Sequence, residues 1–303
     1  MKLTHLRDVI AAAEFGSLRA AARNLGIAQP TITRSIREVE HELGVPLFER
    51  HQQGVRLTAM GDAFVRRAIA AQSELRRARE ELDQMNGQMT GEVSVAMSGV
   101  SSIALIPRAV RSFRGRYPQA NLKITEAFFH AVEAQVLSGQ IDFCVGPFRE
   151  ASHESRYLVE PLFNHHWVVI ARRGHPLAHC RRLSELTDAE WVRPTLSERA
   201  NEAYIAQPFL SQGLHSPNVV INTTSATTTL VAVANSDLLT ILPRTMLSAP
   251  IDRSMFEVLD LEETMQGTQI CLVRRKDMPL TPLAEYFADM IKRAALNFDA
   301  DQT

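Results

Sequence analysis

Gln29, Thr31, Thr33, Arg34 and Arg37 stand within nine residues of one another, with Pro30 among them. These are side chains suited to reading double-stranded DNA. Arginine and glutamine bond base edges, and threonine bonds a phosphate or a base. At about 100° per residue, Pro30, Arg34, Arg37 and His41, flanked by Thr33, fall on one face of a helix. Ile32, Ile36, Val39 and Leu43 form an apolar stripe on the other. Arg34 is the expected main base reader. Glu38 and Glu40 face outward or sideways, and the expectation is that they pair with neighbouring arginines.

The elements that must hold this helix are written around it. Ala20, Ala21 and Ala22 make a small-sided helix that another helix can cross closely, and Ser17 is placed to cap it. Gly26 suits the left-handed turn between the two helices. Pro30 sits in the first turn of the second, where a missing amide costs little. A helical hairpin alone is common and says little. The following stretch, residues 45–61, adds a short β-hairpin, anchored by Phe48 and turning at Gln52-Gln53-Gly54. Arg50, Gln53 and Arg56 in this wing are placed for phosphates or a minor groove.

With these residues in view, the chain resembles the LysR-type transcriptional regulators. The resemblance rests on FGSLRAAARNLGIAQPTITRSIREVEHELGVPLFER (15–50) and GVRLTAMG (54–61). It is strong to about residue 65 and weaker but consistent beyond. It departs at Ala28, where the family usually has serine, so a helix cap of roughly 1 kcal/mol is lost. It departs again at Gln53, often basic, and at Met60, often proline or a small residue. The resemblance implies an α/β protein with an N-terminal all-α winged helix-turn-helix, a long linker helix and two Rossmann-like subdomains resembling a periplasmic binding protein. The expected divisions are 1–58 for DNA binding, 59–90 for the linker helix and 91–303 for effector binding. The implied activity is cytoplasmic transcription regulation under a small-molecule effector, with RNA polymerase as a further partner. The family dimerises through the linker helix and often forms homotetramers.

Charge is nearly balanced, with 33 basic against 34 acidic residues in 303. Residues 1–67 hold ten Lys/Arg against seven Asp/Glu, a mildly positive head. Its affinity must come from local placement and dimerisation, with phosphate contacts supplying the salt-dependent part. No apolar signal core opens the chain, and no run approaches a membrane span. Cys144, Cys180 and Cys271 lie far apart without CxxC spacing, and read as idle or buried thiols. Some members of the family sense oxidants, so a thiol-based redox switch is the alternative signal.

Phe64, Ala68, Ala71, Leu75, Ala78, Leu82, Met85 and Met89 alternate at four- and three-residue spacings. This seam is expected to pair with a second copy, holding two heads at a fixed separation over a palindromic promoter site.

From Gly91 the texture alternates. Strands are expected at 93–97, 122–126, 141–146, 167–171, 219–222, 238–242, 257–261 and 269–274. Helices are expected at 102–116, 131–138, 202–212, 227–234 and 281–295. This order argues α/β with mainly parallel sheets. Crossovers near Pro161-Leu162 and Thr264–Gln269 divide subdomain I (92–161 and 268–303) from subdomain II (162–267). Two strand-to-helix junctions, Ser98-Gly99-Val100-Ser101-Ser102 and Thr223-Thr224-Ser225, offer hydroxyls and free amides, a natural anion site. Plain helix capping is the other reading of each hydroxyl. Phe128, Pro147, Phe148 and Thr195 are candidate walls, and only one of Phe128 and Phe129 is expected to face the cleft. The expected effector is a small organic acid. Where the family often has Gly-x-Gly this chain has Asn235-Ser236-Asp237, and Asn235 is expected to tolerate a left-handed turn.

An enzyme is disfavoured: HExxH, GxSxG, P-loop and GxGxxG are all missing, and His165-His166, as strand neighbours, cannot readily share a metal. No cofactor and no metal are expected. A solute-binding protein would explain the C-terminal lobes but not the N-terminal helices.

Overall fold

The computed structural model describes residues 1–52, 54–88, 90–148, 156–194, 203–247 and 253–300. Gln53, Met89, Thr195 and the expected helix start at Glu202 lie outside them. Two compact units emerge: residues 1–90 with 134–141, and 91–133 with 142–303.

The first unit opens with α1 (Leu3–Phe15), α2 (Leu18–Leu25) and α3 (Gln29–Leu43). Ala21 and Ala22 of α2, Val9 and Ala12 of α1, and Ile32, Ile36 and Val39 of α3 close one core. Leu43 does not join it. The stripe ends at Val39 because Gly44 (φ 70°) terminates the helix and leaves Leu43 40% exposed. The wing is β1 (Phe48–His51) paired with β2 (Gly54–Leu57), closing at His51 opposite Gly54. α4 (Ala59–Met85) follows, capped by Thr58, whose hydroxyl accepts from the Gly61 amide at 2.9 Å and donates to the Pro46 carbonyl.

The second unit begins with β3 (Glu92–Met97), α5 (Gly99–Arg116) and β4 (Asn121–Glu126), followed by α6 (Phe129–Leu137), β5 (Phe143–Pro147) and β6 (Tyr157–Arg172). β7 (Glu190–Pro194), α7 (Ala203–Leu210), β8 (Asn218–Thr223), α8 (Ala226–Ala234), β9 (Thr240–Pro243), β10 (Phe256–Val258), β11 (Met265–Arg275) and α9 (Pro282–Ala300) complete it. β4, β3 and β5 run parallel; β3 and β5 are buried, and β4 is an exposed edge. β11 and β6 then pair antiparallel to each other and carry the sheet onward to β9 and β10. These two long strands pass through both lobes. Pro161-Leu162 and Gln269, near which the crossovers between lobes are expected, lie within these two strands. Pro161 lies opposite Cys271, where the register shifts, and a bulge tolerates a residue with no amide to donate. β7, not foreseen in the sequence, pairs parallel with β8.

Each lobe has its own core. Phe113, Phe143, Phe287 and Ile291 centre the first, tying α5 and α9 to the sheet. Trp191, Phe209, Leu183 and Leu186 centre the second, the Trp191 and Phe209 rings meeting edge-on at 5.4 Å. Asn235 takes φ −115°, not a left-handed turn. Its side chain and that of Ser236 instead bond the last carbonyls of α8, at 2.8 and 2.7 Å, and end the helix without glycine. None of the described helices is long and apolar enough to cross a membrane.

His165 and His166 point to opposite faces of β6, one buried and one exposed. A Cβ at Gly267 would come within 2.2 Å of the His165 carbonyl oxygen, so only glycine lets the crossing strands meet there. Burial lowers the His165 pKa to about 4. Between the free value of 6.5 and about 4, an unfolded chain takes up a proton that the folded chain refuses. Stability is then full above about pH 6.5 and falls across that window, by on the order of 3 kcal/mol for this one group. Thermal melts between pH 7 and 5 should show the decline in the wild type and a flatter profile in His165→Asn.

Candidate nucleic-acid interface and effector cleft

α3 places its sequence-predicted residues on one open face. Gln29, Pro30, Thr31, Arg34 and Arg37 are exposed and Thr33 is half-buried, while Ile32 and Val39 behind them are fully buried. An open volume of about 1000 Å³ runs along this face, bordered by Gln29, Pro30, Thr33, Arg34, Arg37 and His41. Ala28 supplies no side-chain cap, in keeping with the missing serine. The Thr33 hydroxyl donates to the Gln29 carbonyl at 3.0 Å and so helps hold the uncapped first turn.

The wing docks beside α3 by two contacts that sequence reasoning missed. Among the described residues Glu40 has no arginine partner. Its Oε1 accepts from the amides of Leu47 and Phe48, at 2.7 and 3.1 Å, and so fixes where the wing leaves the helix. The Val55 amide donates to the Gly16 carbonyl at 2.8 Å. Gly54 (φ 139°) is needed for that contact, because a Cβ there would sit 2.2 Å from the same oxygen. Alternation then separates the wing arginines. Arg50 pairs with Val55 and borders a small cleft with Thr33 and Arg37, whereas Arg56 pairs with Glu49 on the opposite face. The structure brings Arg50 to the helix and leaves Arg56 apart. Ser17 caps α2 by accepting from the Ala20 amide at 3.3 Å, and Gly26 takes φ 64°.

The seam on α4 divides in two. Ala68 is buried and Phe64 packs into the core of the head, so these two are used within one chain. Ala71, Leu75, Ala78, Leu82 and Met85 are exposed, Leu82 at 61% and Met85 at 73%. The buried side of the helix here is polar instead: Ser73, Arg77 and Gln84.

In the second unit, Ser98 caps α5, accepting from the Ser101 amide at 3.3 Å, and the two hydroxyls bond each other at 2.7 Å. Both side chains are buried, so neither hydroxyl is offered to an open cleft. Val100 and Ile103 pack onto the apolar cluster of the second lobe that contains Ile170, Val192, Leu230 and Val233. Gly99 and Ser102 are half-buried. The expected anion site also carries a negative charge of its own: Glu126 Oε1 lies 3.0 Å from where a Gly99 Cβ would be. Across the cleft, Thr223 Oγ1 accepts from the Ser225 amide and Ser225 caps α8, leaving Thr224 exposed. Phe148 stacks edge-on with Phe129 at 5.1 Å, and Phe129 with Tyr157 at 4.9 Å. Phe128 lies apart from that cluster, stacked on His130, and Pro147 is half-buried at the end of β5.

Burial pushes the Cys144 thiol up to about 12 and raises Cys180 and Cys271 as well, which disfavours the thiolate form of each. Cys144 and Cys271 are diagonal neighbours on paired strands. That spacing is about 7–8 Å between Cα atoms, longer than a disulfide spans.

A winged helix-turn-helix followed by a long helix and a two-lobed α/β binding domain defines a DNA-binding regulator. Residues 3–62 match the model of the bacterial regulatory helix-turn-helix proteins of the lysR family, and residues 86–296 match the LysR substrate binding domain. The chain belongs to the LysR family of transcriptional regulators. It is 26% identical over 280 residues to the HTH-type transcriptional regulator TdcA of Escherichia coli (strain K12), covering 91% of this chain and 88% of that one. It is 28% identical over 294 residues to the SDS degradation transcriptional activation protein of Pseudomonas sp. (strain ATCC 19151), covering 95% of each. In fold it is similar to CbnR, a LysR family transcriptional regulator, with a TM-score of 0.71, 24% identity, and 97% and 99% of the two chains covered. It is also similar to full-length CbnR complexed with its target DNA, with a TM-score of 0.69, 24% identity, and 97% and 100% covered.

Glu40→Ala strands two amides where the wing meets α3. It should cost about 1–3 kcal/mol in thermal or urea unfolding, whereas Glu42→Ala, an exposed change on the same helix, should stay within about 0.5 kcal/mol.

Proposed function

We propose that this regulator reads a palindromic promoter site as a dimer or tetramer, and that a small organic acid bound between the lobes of residues 91–303 controls it. The carrying observation is the face of α3, where Gln29, Arg34 and Arg37 stand exposed, with Thr33 half-buried beside them, over a buried apolar underside. A helix so presented enters a major groove, and the wing places Arg50 against the adjoining backbone. Residues 1–58 act as the reading head, and 59–90 pair two heads through Ala71, Leu75, Ala78, Leu82 and Met85. One structural neighbour, CbnR, forms a complex with its target DNA, which is the same kind of partner.

Val100 and Ile103 of the first lobe pack against the apolar cluster of the second. A ligand that displaces them favours a different lobe arrangement by its differential affinity, and the lobe arrangement sets the spacing of the heads. An acid group gains from the amide-rich ends of α5 and α8 only if the Glu126 carboxylate moves aside. Ser102 and Thr224 are the cleft hydroxyls left without a hydrogen bond among the described residues, and they are the ones available to it.

Arg34→Ala should cost about 1–3 kcal/mol on a selected operator and relax preference at one base pair per half-site. An equal loss on operator and random DNA in a competition assay would make Arg34 a phosphate contact. In calorimetric screens of metabolites, Glu126→Gln should tighten an acidic effector by several-fold. A neutral or weakening effect would move the anion site elsewhere.

A further inference from the structure

Arg34 is not a free side chain on the DNA-facing surface. Its Nε donates to Glu38 Oε1 at 2.8 Å, one turn further along α3. The other carboxylate oxygen of Glu38 faces His5 Nε2 of α1 at 3.5 Å. The His5 ring is largely sheltered, with 14% of its side chain exposed, and its buried Nδ1 has no hydrogen-bond partner among the described residues. A proton on Nε2 suits that environment and leaves His5 donating toward Glu38. Three side chains from two helices therefore stand in a row, ending at the guanidinium.

Helix stabilisation does not explain the arrangement. Arginine four residues before glutamate is the poorer order for an i,i+4 pair, and exposed pairs of this kind contribute only a few tenths of a kcal/mol. A carboxylate also sits badly on a surface that meets phosphates, unless it serves the arginine beside it. The Arg34 hydrogen bond holds the Glu38 carboxyl below its usual pKa, with the charges of Arg34, His5 and Lys2 adding. Glu38 is thus a standing anion. An arginine bonded through Nε keeps its two terminal nitrogens in a fixed plane, the fork that matches the O6 and N7 of guanine. A long side chain otherwise loses that order to rotamer freedom.

Resting on the assignment of α3 to DNA, we propose that Glu38 and His5 are positioning residues that fix the Arg34 guanidinium for bidentate reading of one guanine in each half-site. Glu38 supplies no base contact itself. Its contribution is specificity: it lowers affinity for every sequence through its charge and restores it only where Arg34 finds its base.

The test uses the full-length protein, an operator selected from random DNA, and versions of it with each base pair replaced. Glu38→Ala should reduce discrimination at a single base pair of each half-site about tenfold, while binding to random DNA is unchanged or tighter and the melting temperature is unmoved. Glu38→Gln, which keeps an acceptor without the charge, should fall between. His5→Phe should weaken discrimination at the same base pair. In an Arg34→Ala background, Glu38→Ala should change discrimination no further. A Glu38→Ala protein that gains affinity for all sequences equally, with discrimination intact, overturns the positioning role and leaves Arg34 as a reader. If Arg34→Ala itself leaves discrimination intact, the base-reading assignment fails, and the proposal with it.

Discussion

The structure depends first on one apolar contact, the burial of Ile32, Ile36 and Val39 against the alanine face of α2 and the inner side of α1. Burying such side chains is worth on the order of 1.5–3 kcal/mol each, far more than any single exposed polar pair on the opposite face. Because the helix has a fixed periodicity, this contact also fixes which residues look outward. Arg34 and Arg37 are exposed because their neighbours are not. The wing inherits its position from the same helix, through the Glu40 carboxylate, and α4 inherits its start from the wing through Thr58.

Downstream, the logic shifts from packing within one chain to surfaces left for something else. Along α4 the polar residues Ser73, Arg77 and Gln84 are buried while Leu75, Leu82 and Met85 are open to water. In the α/β unit the two crossing strands β6 and β11 connect the lobes, with Gly267 allowing their close approach over His165. Val100 and Ile103 of α5 pack onto the apolar cluster of the second lobe.

Much of this was legible in the residues because it is local. The faces of α3, the Ser17 cap, the need for Gly54 at positive φ and most strand-helix alternation follow from spacing within a few positions. What failed depends on distant partners. That β6 runs on through Pro161 was not legible, because the tolerance comes from a register shift on β11, some hundred residues away. Phe64 and Ala68 fit the heptad as well as Leu75 does, and only the fold shows that the head core takes them. Ser98 and Ser101 carried the right atoms for an effector site, but their burial against β5 turns those hydroxyls toward each other. Glu40 looked like one more surface charge until two amides of the wing appeared beside it.

The central claim is that paired copies of the α3 outer face read base edges in successive major grooves. Guanine-N7 methylation interference on a selected operator, with the full-length protein, tests it most directly. Two clusters of interfering guanines on one side of the duplex, about 34 Å or a multiple of it apart, are the predicted result. A single cluster, or binding indifferent to methylation in the major groove, would contradict it.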